Sequence, residues 1–344
     1  MQLKTVPEDF VVAELPLREP SGDGQYLVLE LAKRNCTTER AVSELARALD
    51  LPRKALGYAG AKDARALTRQ RVTIRTDDHA RVARLRPSSW SVRVLGRDRE
   101  PLGLGLLAGN RFEIVARRLT TETARQIASF PNYFDEQRFS TANARIGRFI
   151  LQGKYREAAD LVIQTDPDAA GRMREHLGEH PNDAVTALRL MPKHTLLMYA
   201  HAYQSFLFNE VLSRWILHHD PDAQLIAGPV PIRVPTRELP QEAIPIVGFG
   251  SELKEPFTDW YAELLAREGL TLRDFVVRPL PFLTLEGTAR QALVVIRDLV
   301  IGPREPDELH PWSEKQRLTF SLPKGAYATL ALKCVYMTGD VSGG

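Results

Sequence analysis

Apolar patterns divide the 344-residue sequence into a strand-rich beginning, a helical middle and a strand-rich end. In the first part, short alternating runs typical of strands are separated by helical periods, with hairpins mixed in. Helical periods dominate from about residue 142, and strand patterns return near residue 292. This distribution predicts an α+β fold with a mixed or antiparallel sheet.

Four local patterns give specific structural expectations. Residues 10–15 and 25–31 are strand patterns joined by turn-forming residues, and we predict that they form a long hairpin. Thr37 is predicted to cap a helix that begins near Thr38. Residues 120–130 are predicted to be helical, and residues 193–219 to form the longest helix, with apolar residues on most of its faces.

Composition and short motifs narrow the class of protein. Cys36 and Cys334 have neither a metal-binding spacing nor a disulfide pattern, and the histidines of residues 193–219 lack an HExxH pattern. We therefore predict no metal site. No apolar run approaches the length of about 18 residues that indicates a membrane span, and the first residues lack the apolar region of a signal peptide. We expect a cytoplasmic protein that does not contact membranes.

Charge is distributed unevenly along the chain. Residues 31–100 contain 17 Lys and Arg against 8 Asp and Glu, whereas the whole chain has a net charge of only +3. A basic region in an otherwise acidic chain favours a polyanionic partner, most commonly a nucleic acid. The alternative is a solvated basic surface.

The stretch from Gly57 to Ile74 carries the clearest candidate for chemistry. Gly57 and Gly60 are expected to let the backbone turn tightly, and a half-buried strand follows. Between the glycines and the core of this strand, Asp63 is the one carboxylate among four cations, Lys62, Arg65, Arg69 and Arg71. Nearby cations favour the ionised form, which acts as a nucleophile or base. The alternative is an aspartate that forms a salt bridge in a turn.

A second candidate segment, residues 131–139, has neither a helical nor a strand period. It concentrates three aromatic residues, an amide and an arginine. Such a group suits stacking on a nucleotide base and recognition of its edge. The alternative is an aromatic corner of the core.

Six motifs, in order along nearly the whole chain, resemble the tRNA pseudouridine synthase D (TruD) family. They are Lys4-x-x-Pro7-Glu8-Asp9-Phe10, the run from Gly57 to Asp63, Thr68-x-Gln70, Gly109-Asn110-x-Phe112, Asn132-Tyr133-Phe134-x-x-Gln137-Arg138-Phe139 and Leu322-Pro323-x-Gly325-x-Tyr327-Ala328-Thr329. The resemblance implies a catalytic domain of residues 1–140 and 285–344. A family-specific α/β insertion domain, the TRUD domain, would comprise residues 141–284.

The resemblance also implies roles for individual residues. Asp63 matches the catalytic aspartate, and Lys4 matches a lysine near that carboxylate. Phe10, Asn132, Phe134 and Tyr327 match positions that line the uridine pocket. The basic residues predicted to contact RNA are Lys62, Arg65, Arg69 and Arg138.

Two residues depart from the family pattern, which usually has glycine at both positions. They are Asp135, after the Asn-Tyr-Phe triplet, and Ser140, after Gln-Arg-Phe. If Asp135 replaces a glycine with positive φ, the loop shifts or carries strain, and the added negative charge weakens RNA binding. We expect both changes to tune the loop without abolishing activity.

The reaction that the resemblance implies converts uridine to pseudouridine in tRNA, at uridine 13 of the D arm. The N1–C1′ bond breaks, the base rotates, and C5 joins C1′, so neither a cofactor nor a metal is needed. Asp63 would attack C1′ or remove a proton from C2′, and the sequence leaves both routes open. The expected partner is tRNA, with no protein partner and a monomeric chain.

Two other functions remain open from the sequence. The first is a non-catalytic RNA-binding protein or RNA chaperone with the same fold, for which the only support is the pair Asp135 and Ser140. The second is an unrelated hydrolase with Asp63 as nucleophile, which the lack of a second acidic residue in the motif argues against.

Overall fold

The computed structural model describes residues 1–85, 87–338 and 342–343. The chain divides into two units. The first unit combines Met1–Phe130 with Val294–Gly344, and the second is the continuous segment Pro131–Leu293. The first unit therefore contains both of the strand-rich parts of the sequence, and the second contains the helical middle.

The helices and strands are numbered in chain order. Those before residue 130 are β1 (Gln2–Leu3), β2 (Phe10–Pro16), β3 (Tyr26–Arg34), α1 (Thr38–Ala48), β4 (Leu56–Tyr58), β5 (Leu67–Arg75), α2 (His79–Arg84), β6 (Trp90–Asp98) and β7 (Leu107–Leu119). The middle elements are β8 (Ser129–Pro131), α3 (Glu136–Phe139), α4 (Asn143–Leu151), α5 (Tyr155–Thr165), α6 (Pro167–Glu179), α7 (Ala184–Arg189), α8 (Lys193–His219), β9 (Gln224–Ile226), β10 (Ile232–Val234), β11 (Ala243–Ile246), α9 (Phe257–Arg267) and β12 (Thr288–Gln291). The last are β13 (Leu293–Val295), β14 (Arg297–Pro306), β15 (Glu314–Pro323), α10 (Ala328–Tyr336) and β16 (Ser342–Gly343).

The first unit is built on a large mixed sheet. Its main strand order is β14-β15-β7-β2-β5-β3-β6, with β1, β4 and β16 paired at the sides. Neighbouring strands are antiparallel except for β2 with β5 and β1 with β16. The predicted hairpin of residues 10–15 and 25–31 is wrong, because β5 lies between β2 and β3 and pairs with both. The α+β fold class with a mixed sheet is confirmed.

Apolar side chains alternate along β3 and β5, which explains why α1 packs on one face of this sheet. Leu27, Leu29 and Leu31 of β3 are fully buried and share a core with α1 and with the alternate residues of β5. As predicted, Thr37 caps α1, and its side chain accepts a hydrogen bond from the Arg40 N–H at 3.1 Å. The helix therefore starts at a fixed residue, which matters because Thr38 also supports the Asp63 loop.

The second unit is organised around α8, whose bounds match the predicted helix of residues 193–219. Apolar residues are buried on several faces of α8, including Leu207, Phe208 and Trp215. The N-terminal part of α8 shares a core with α4, α5 and α7. No helix in the described part of the chain combines the length and the apolar character needed to cross a bilayer.

The predicted helix of residues 120–130 is wrong. The backbone N–H of Arg125 donates to the carbonyl of Val335, and the carbonyl of Ala128 accepts from Ile296. The backbone in this stretch thus pairs with residues far away in sequence, which a helix does not allow. The stretch leads into β8 as extended chain.

The edges of the two units differ from the predicted domain boundaries of 140/141 and 284/285. Residues before 140 belong to the second unit because the backbone of Phe134 is hydrogen-bonded to the side chain of Asn209 on α8. Residues after 284 belong to it because β12 pairs with β11. The assignment of a catalytic domain and an insertion domain stays a prediction.

Candidate active site

The carboxylate of Asp63 lies in the loop between β4 and β5, with its side chain 23% exposed. Its Oδ2 accepts a hydrogen bond from the ammonium of Lys4, with which it forms an ion pair. Its Oδ1 accepts from the backbone N–H of Arg65 at 3.1 Å. The Lys4 ammonium also lies 4.5 Å from the centroid of the Phe10 ring. Three of the residues predicted for the site, Lys4, Phe10 and Asp63, are therefore in one cluster.

Lys4 holds this position with an unusual backbone conformation. Its φ is 58°, in the left-handed region that is uncommon for residues other than glycine. The motif around it is anchored by Asp9, which is buried and accepts from the Val6 N–H at 3.1 Å. The single Nε–H of Arg117 is shared between the two carboxylate oxygens of Asp9, at N–O distances of 3.0 and 2.9 Å. These bonds explain why the motif contains an aspartate directly before Phe10.

Arg117 connects Asp9 to the loop between β14 and β15. It is buried, and its Nη1 donates to Asp307 at 2.8 Å. Burial alone lowers the pKa of Arg117, but the hydrogen bonds to Asp9 and Asp307 outweigh burial, so the pKa is raised overall. The guanidinium therefore remains charged and holds the Lys4 segment against β7.

The backbone of the Asp63 loop is held by a buried lysine that sequence reasoning missed. Nζ of Lys33, on β3, donates to the carbonyl of Asp63 at 2.6 Å and to that of Lys62 at 3.4 Å. Lys33 is only 3% exposed, and burial lowers its pKa. Because its partners are carbonyls, Lys33 fixes the loop without taking an oxygen of the Asp63 carboxylate.

A relay of three hydrogen bonds supports the same loop from α1 and β5. The Lys62 N–H donates to Oγ1 of Thr38 at 2.9 Å, and that hydroxyl donates to Oε1 of Gln70 at 2.9 Å. Nε2 of Gln70 then donates to the carbonyl of Gly60 at 3.1 Å. Loop support therefore explains the Gln70 of the Thr68-x-Gln70 motif, since Gln70 is bonded to Gly60 directly and to Lys62 through Thr38.

The two glycines of the motif do not serve the turn that the sequence predicted. Neither Gly57 nor Gly60 has a positive φ. A Cβ at residue 57 would lie 2.2 Å from the carbonyl oxygen of Leu102, so Gly57 permits the close approach of two backbone segments. A Cβ at residue 60 would meet nothing within 4 Å, and nothing in the structure explains glycine there.

The four basic residues predicted to contact RNA are in different environments. The Lys62 ammonium donates to Glu14 at 2.7 Å, and its side chain is only 6% exposed. This arrangement does not support direct phosphate contact by Lys62.

Arg65 and Arg69 are exposed, and Arg69 forms no ion pair within the described residues. Arg138 is partly buried and donates to Oγ of Ser205 at 3.0 Å. The RNA-binding roles stay predictions.

Phe10 belongs to a row of aromatic rings across three neighbouring strands. Its ring meets Phe112 edge to face at 6.1 Å, and Phe112 stacks on Phe320 at 5.4 Å. Phe10 is 5% exposed, so its ring is fixed beneath Lys4. Tyr327, which is also predicted to line the uridine pocket, is partly buried at the start of α10.

In the second unit, Asn132 and Phe134 form a cluster with Arg290 of β12. The Arg290 guanidinium lies 4.3 Å from the centroid of the Phe134 ring and donates to the Asn132 side chain. The Phe134 ring also meets the edge of Phe208 at 5.5 Å. The Phe134 ring, which we call the aromatic platform, is thus held by its neighbours. Asn132 is part of its support.

The two departures from the family pattern have different consequences from those expected. Asp135 has a φ of −93° and precedes α3 as its N-cap residue, so no glycine is required there. Its side chain is buried. Ser140 has a φ of 47° and a ψ of −151°, a combination that strongly favours glycine. The strain predicted for Asp135 is therefore absent, whereas Ser140, for which no strain was predicted, has the strained backbone.

The supporting residues Lys33, Thr38, Asn209 and Arg290 were not predicted from the sequence. None of the four lies in one of the six motifs, and Arg290 stands in the polar strand Thr288–Gln291, so no local signal marked them. Within the described residues, no group of three or more His, Cys, Asp or Glu side chains is arranged to hold a metal ion.

Comparison with known proteins identifies the family. The family model described as tRNA pseudouridine synthase D (TruD) matches residues 1–175, 170–240 and 236–335. A tRNA pseudouridine synthase D of Syntrophotalea carbinolica is 32% identical, and the alignment covers 98% of this chain and 96% of the relative. A Methanosarcina acetivorans protein named "probable tRNA pseudouridine synthase D" is 30% identical, with 98% and 93% covered.

A solved structure agrees with these matches. The crystal structure of a candidate tRNA pseudouridine synthase D (TruD) from Methanosarcina mazei superposes with a TM-score of 0.74 and 26% sequence identity. It covers 98% of this chain and 94% of the solved chain. The fold and the matched sequence therefore define an RNA-modifying isomerase. The chain belongs to the TruD family of tRNA pseudouridine synthases, as the six motifs predicted.

Proposed function

We propose that this chain isomerises uridine 13 in the D arm of tRNA to pseudouridine, with Asp63 as its catalytic residue. The observation that carries this proposal is the partly exposed Asp63 carboxylate, ion-paired with Lys4 over the ring of Phe10. Both neighbours match family motifs, and the loop behind the carboxylate is fixed by Lys33 and Thr38. A preorganised carboxylate is what a reaction at the ribose requires.

The reaction is an isomerisation with one exchange of a proton. The N1–C1′ bond of uridine breaks, the C5–C1′ bond forms, the hydrogen of C5 leaves to solvent, and N1 gains a proton. Asp63 acts either by attack on C1′ or by removal of a proton from C2′. In both routes the Lys4 ammonium holds the carboxylate through Oδ2, and the Arg65 N–H holds Oδ1.

The base has to leave its stack in the RNA before the ribose can react, at a cost of a few kcal/mol. We assign Phe134 or Tyr327 as the aromatic contact of the flipped base, which offsets roughly 1–3 kcal/mol of that cost. The exposed Arg65 and Arg69, together with Arg138, are assigned to the RNA phosphates. Asn132 contributes by supporting Phe134, because its side chain is already bonded to Arg290 and Gln291.

The test is release of tritium from an unmodified tRNA transcript that carries tritium at C5 of its uridines. We expect release by the wild type, mapping to uridine 13. Asp63→Asn, which is nearly isosteric, should abolish release and keep tRNA affinity within about threefold, since phosphate contacts dominate binding. Asp259→Asn, in the other unit, is the control and should react like the wild type.

Three results would contradict the proposal. Tritium release by Asp63→Asn would remove Asp63 from the chemistry. Tight, salt-sensitive binding without release by the wild type would favour an RNA-binding protein or chaperone. Turnover of a small ester with indifference to RNA would favour a hydrolase.

A further inference from the structure

Arg290 makes three contacts with the two residues that carry the aromatic platform. Its Nε donates to the carbonyl of Asn132 at 2.9 Å, and its Nη2 donates to Oδ1 of the same residue at 2.5 Å. The guanidinium also lies 4.3 Å from the centroid of the Phe134 ring. One planar group thus binds the main chain of Asn132, the side chain of Asn132 and the ring of Phe134 at once.

Asn132 is bound to the same strand through its remaining groups. Its Nδ2 donates to the carbonyl of Gln291 at 2.9 Å, and its backbone N–H donates to the carbonyl of Ala292 at 2.8 Å. Because Arg290 donates to Oδ1, both the oxygen and the nitrogen of the Asn132 side-chain amide have a hydrogen-bond partner. Asn132 is therefore fixed along residues 290–292, in one orientation of its side chain.

The backbone of Phe134 is held from the opposite direction by α8. Oδ1 of Asn209 accepts from the Phe134 N–H at 2.9 Å, and Nδ2 of Asn209 donates to the Phe134 carbonyl at 2.9 Å. The ring itself has the edge of Phe208 beside it. The Arg138 guanidinium also lies 5.6 Å from the centroid of the Phe134 ring. The backbone and the ring edge are thus fixed without Arg290, and the specific contribution of Arg290 is to join a closer ring contact to the two hydrogen bonds with Asn132.

We propose that Arg290 is a positioning residue for uridine isomerisation, which holds Phe134 and Asn132 in the arrangement that receives the flipped base. This inference rests on the proposed function. A lysine cannot replace Arg290, because a single ammonium lacks the planar fork that bonds two Asn132 oxygens while it stacks on a ring. Arg290 therefore acts through Phe134 and Asn132, and its role differs from a simple attraction of phosphate.

The test compares Arg290→Lys and Arg290→Ala with the wild type, using the tritiated tRNA at saturating enzyme in a single turnover. Arg290→Lys keeps the charge, so tRNA affinity should stay within about threefold. Its saturating rate should fall about 100-fold, because the base is held in the wrong geometry. Arg214→Lys is the matched control, since Arg214 forms a two-bond pair with Glu263 in the same unit, and it should react at the wild-type rate.

A rescue experiment separates positioning from a general structural role. Guanidinium ion at millimolar concentration should restore at least about tenfold of the lost rate to Arg290→Ala, and sodium chloride at equal ionic strength should not. If Arg290→Ala does not fold, Arg290→Lys decides the question alone. A wild-type rate for Arg290→Lys would overturn the inference, and so would a loss confined to tRNA affinity. Absence of release by the wild type would instead overturn the proposed function.

Discussion

The ammonium of Lys62 and the carboxylate of Glu14 form an ion pair at 2.7 Å with side chains only 6% and 2% exposed. The other oxygen of Glu14 accepts from the Arg71 N–H at 3.2 Å. Lys62 directly precedes Asp63, the proposed catalytic residue, yet the Lys62 ammonium is buried against Glu14. The pair therefore fixes the chain next to Asp63 to β2.

Lys62→Met should lower the free energy of unfolding by about 3–5 kcal/mol, because it leaves the Glu14 carboxylate buried without its cation. The double variant Lys62→Met with Glu14→Leu should recover most of that loss. Urea unfolding monitored by circular dichroism measures both. The control is Arg40→Met, which breaks an exposed pair with Glu44 and should cost less than about 0.5 kcal/mol. Equal costs for Lys62→Met and Arg40→Met would show that the Lys62 pair does not stabilise the fold.

Ser140→Gly should raise the free energy of unfolding by about 0.5–1 kcal/mol. The backbone of Ser140, with φ of 47° and ψ of −151°, costs a non-glycine residue about 1–3 kcal/mol, and the greater freedom of glycine in the unfolded chain removes part of the gain. Asp135→Gly is the contrasting variant and should destabilise, because Asp135 has a φ of −93°. Thermal and urea unfolding measure both changes. Destabilisation by Ser140→Gly would show that the strain is absent.

The ion pair of Glu39 with Arg53 makes stability depend on pH. Hydrogen bonds from Arg53 lower the pKa of Glu39 from 4.5 to about 2. A lowered pKa gives a contribution that is complete above about pH 4.5 and is lost as the pH falls through about 2. Because the Glu39 side chain is 59% exposed, we expect only about 1 kcal/mol.

The comparison for Glu39 is urea unfolding of the wild type and Glu39→Gln at about pH 6 and about pH 3. The difference in unfolding free energy should be largest at the higher pH and shrink to less than half at the lower one. Glu238→Gln, at an exposed residue without an ion pair in the described part of the chain, should show no such change. A difference that is constant with pH would refute the linkage.

Arg69→Ala should weaken tRNA binding and reduce the slope of log affinity against log salt by about 1, because one phosphate contact is lost. Arg69 is exposed and has no ion pair among the described residues, so its charge is available to RNA. Arg99→Ala is the control, since Asp23 already neutralises Arg99, and it should leave the slope unchanged. Fluorescence anisotropy with labelled tRNA at several salt concentrations gives the slopes. An unchanged slope for Arg69→Ala would remove Arg69 from the RNA contacts.

Features set by neighbouring residues could be predicted from the sequence. The bounds of α8 and the cap of α1 at Thr37 follow from periodicity and from capping chemistry within a few residues. The hairpin failed because the apolar pattern of residues 10–31 does not show that β5 inserts between its strands. Strand order depends on partners that lie elsewhere in the chain, which local patterns do not contain.

The same distinction between local and long-range features holds for the candidate site. Asp63 and Phe134 could be predicted as site residues because their motifs are continuous in sequence. Their supports were missed because Lys33 lies 30 residues from Asp63, and Asn209 lies 75 residues from Phe134. Lys33 also looks like any other cation of a basic region until its burial is known. Long-range hydrogen bonds of this kind become visible only when the fold is known.

Because the second unit is inserted in the sequence of the first, it is synthesised before the first unit is complete. The strand β7 pairs along its length with β15, and Phe112 lies opposite Phe320. All of residues 131–293 lie between these partners. A ribosome therefore completes the helical unit before it produces the strand that joins the ring of Phe112, and hence Phe10, to its final neighbour. The sheet that carries Asp63 is completed only after translation has passed the Phe134 platform.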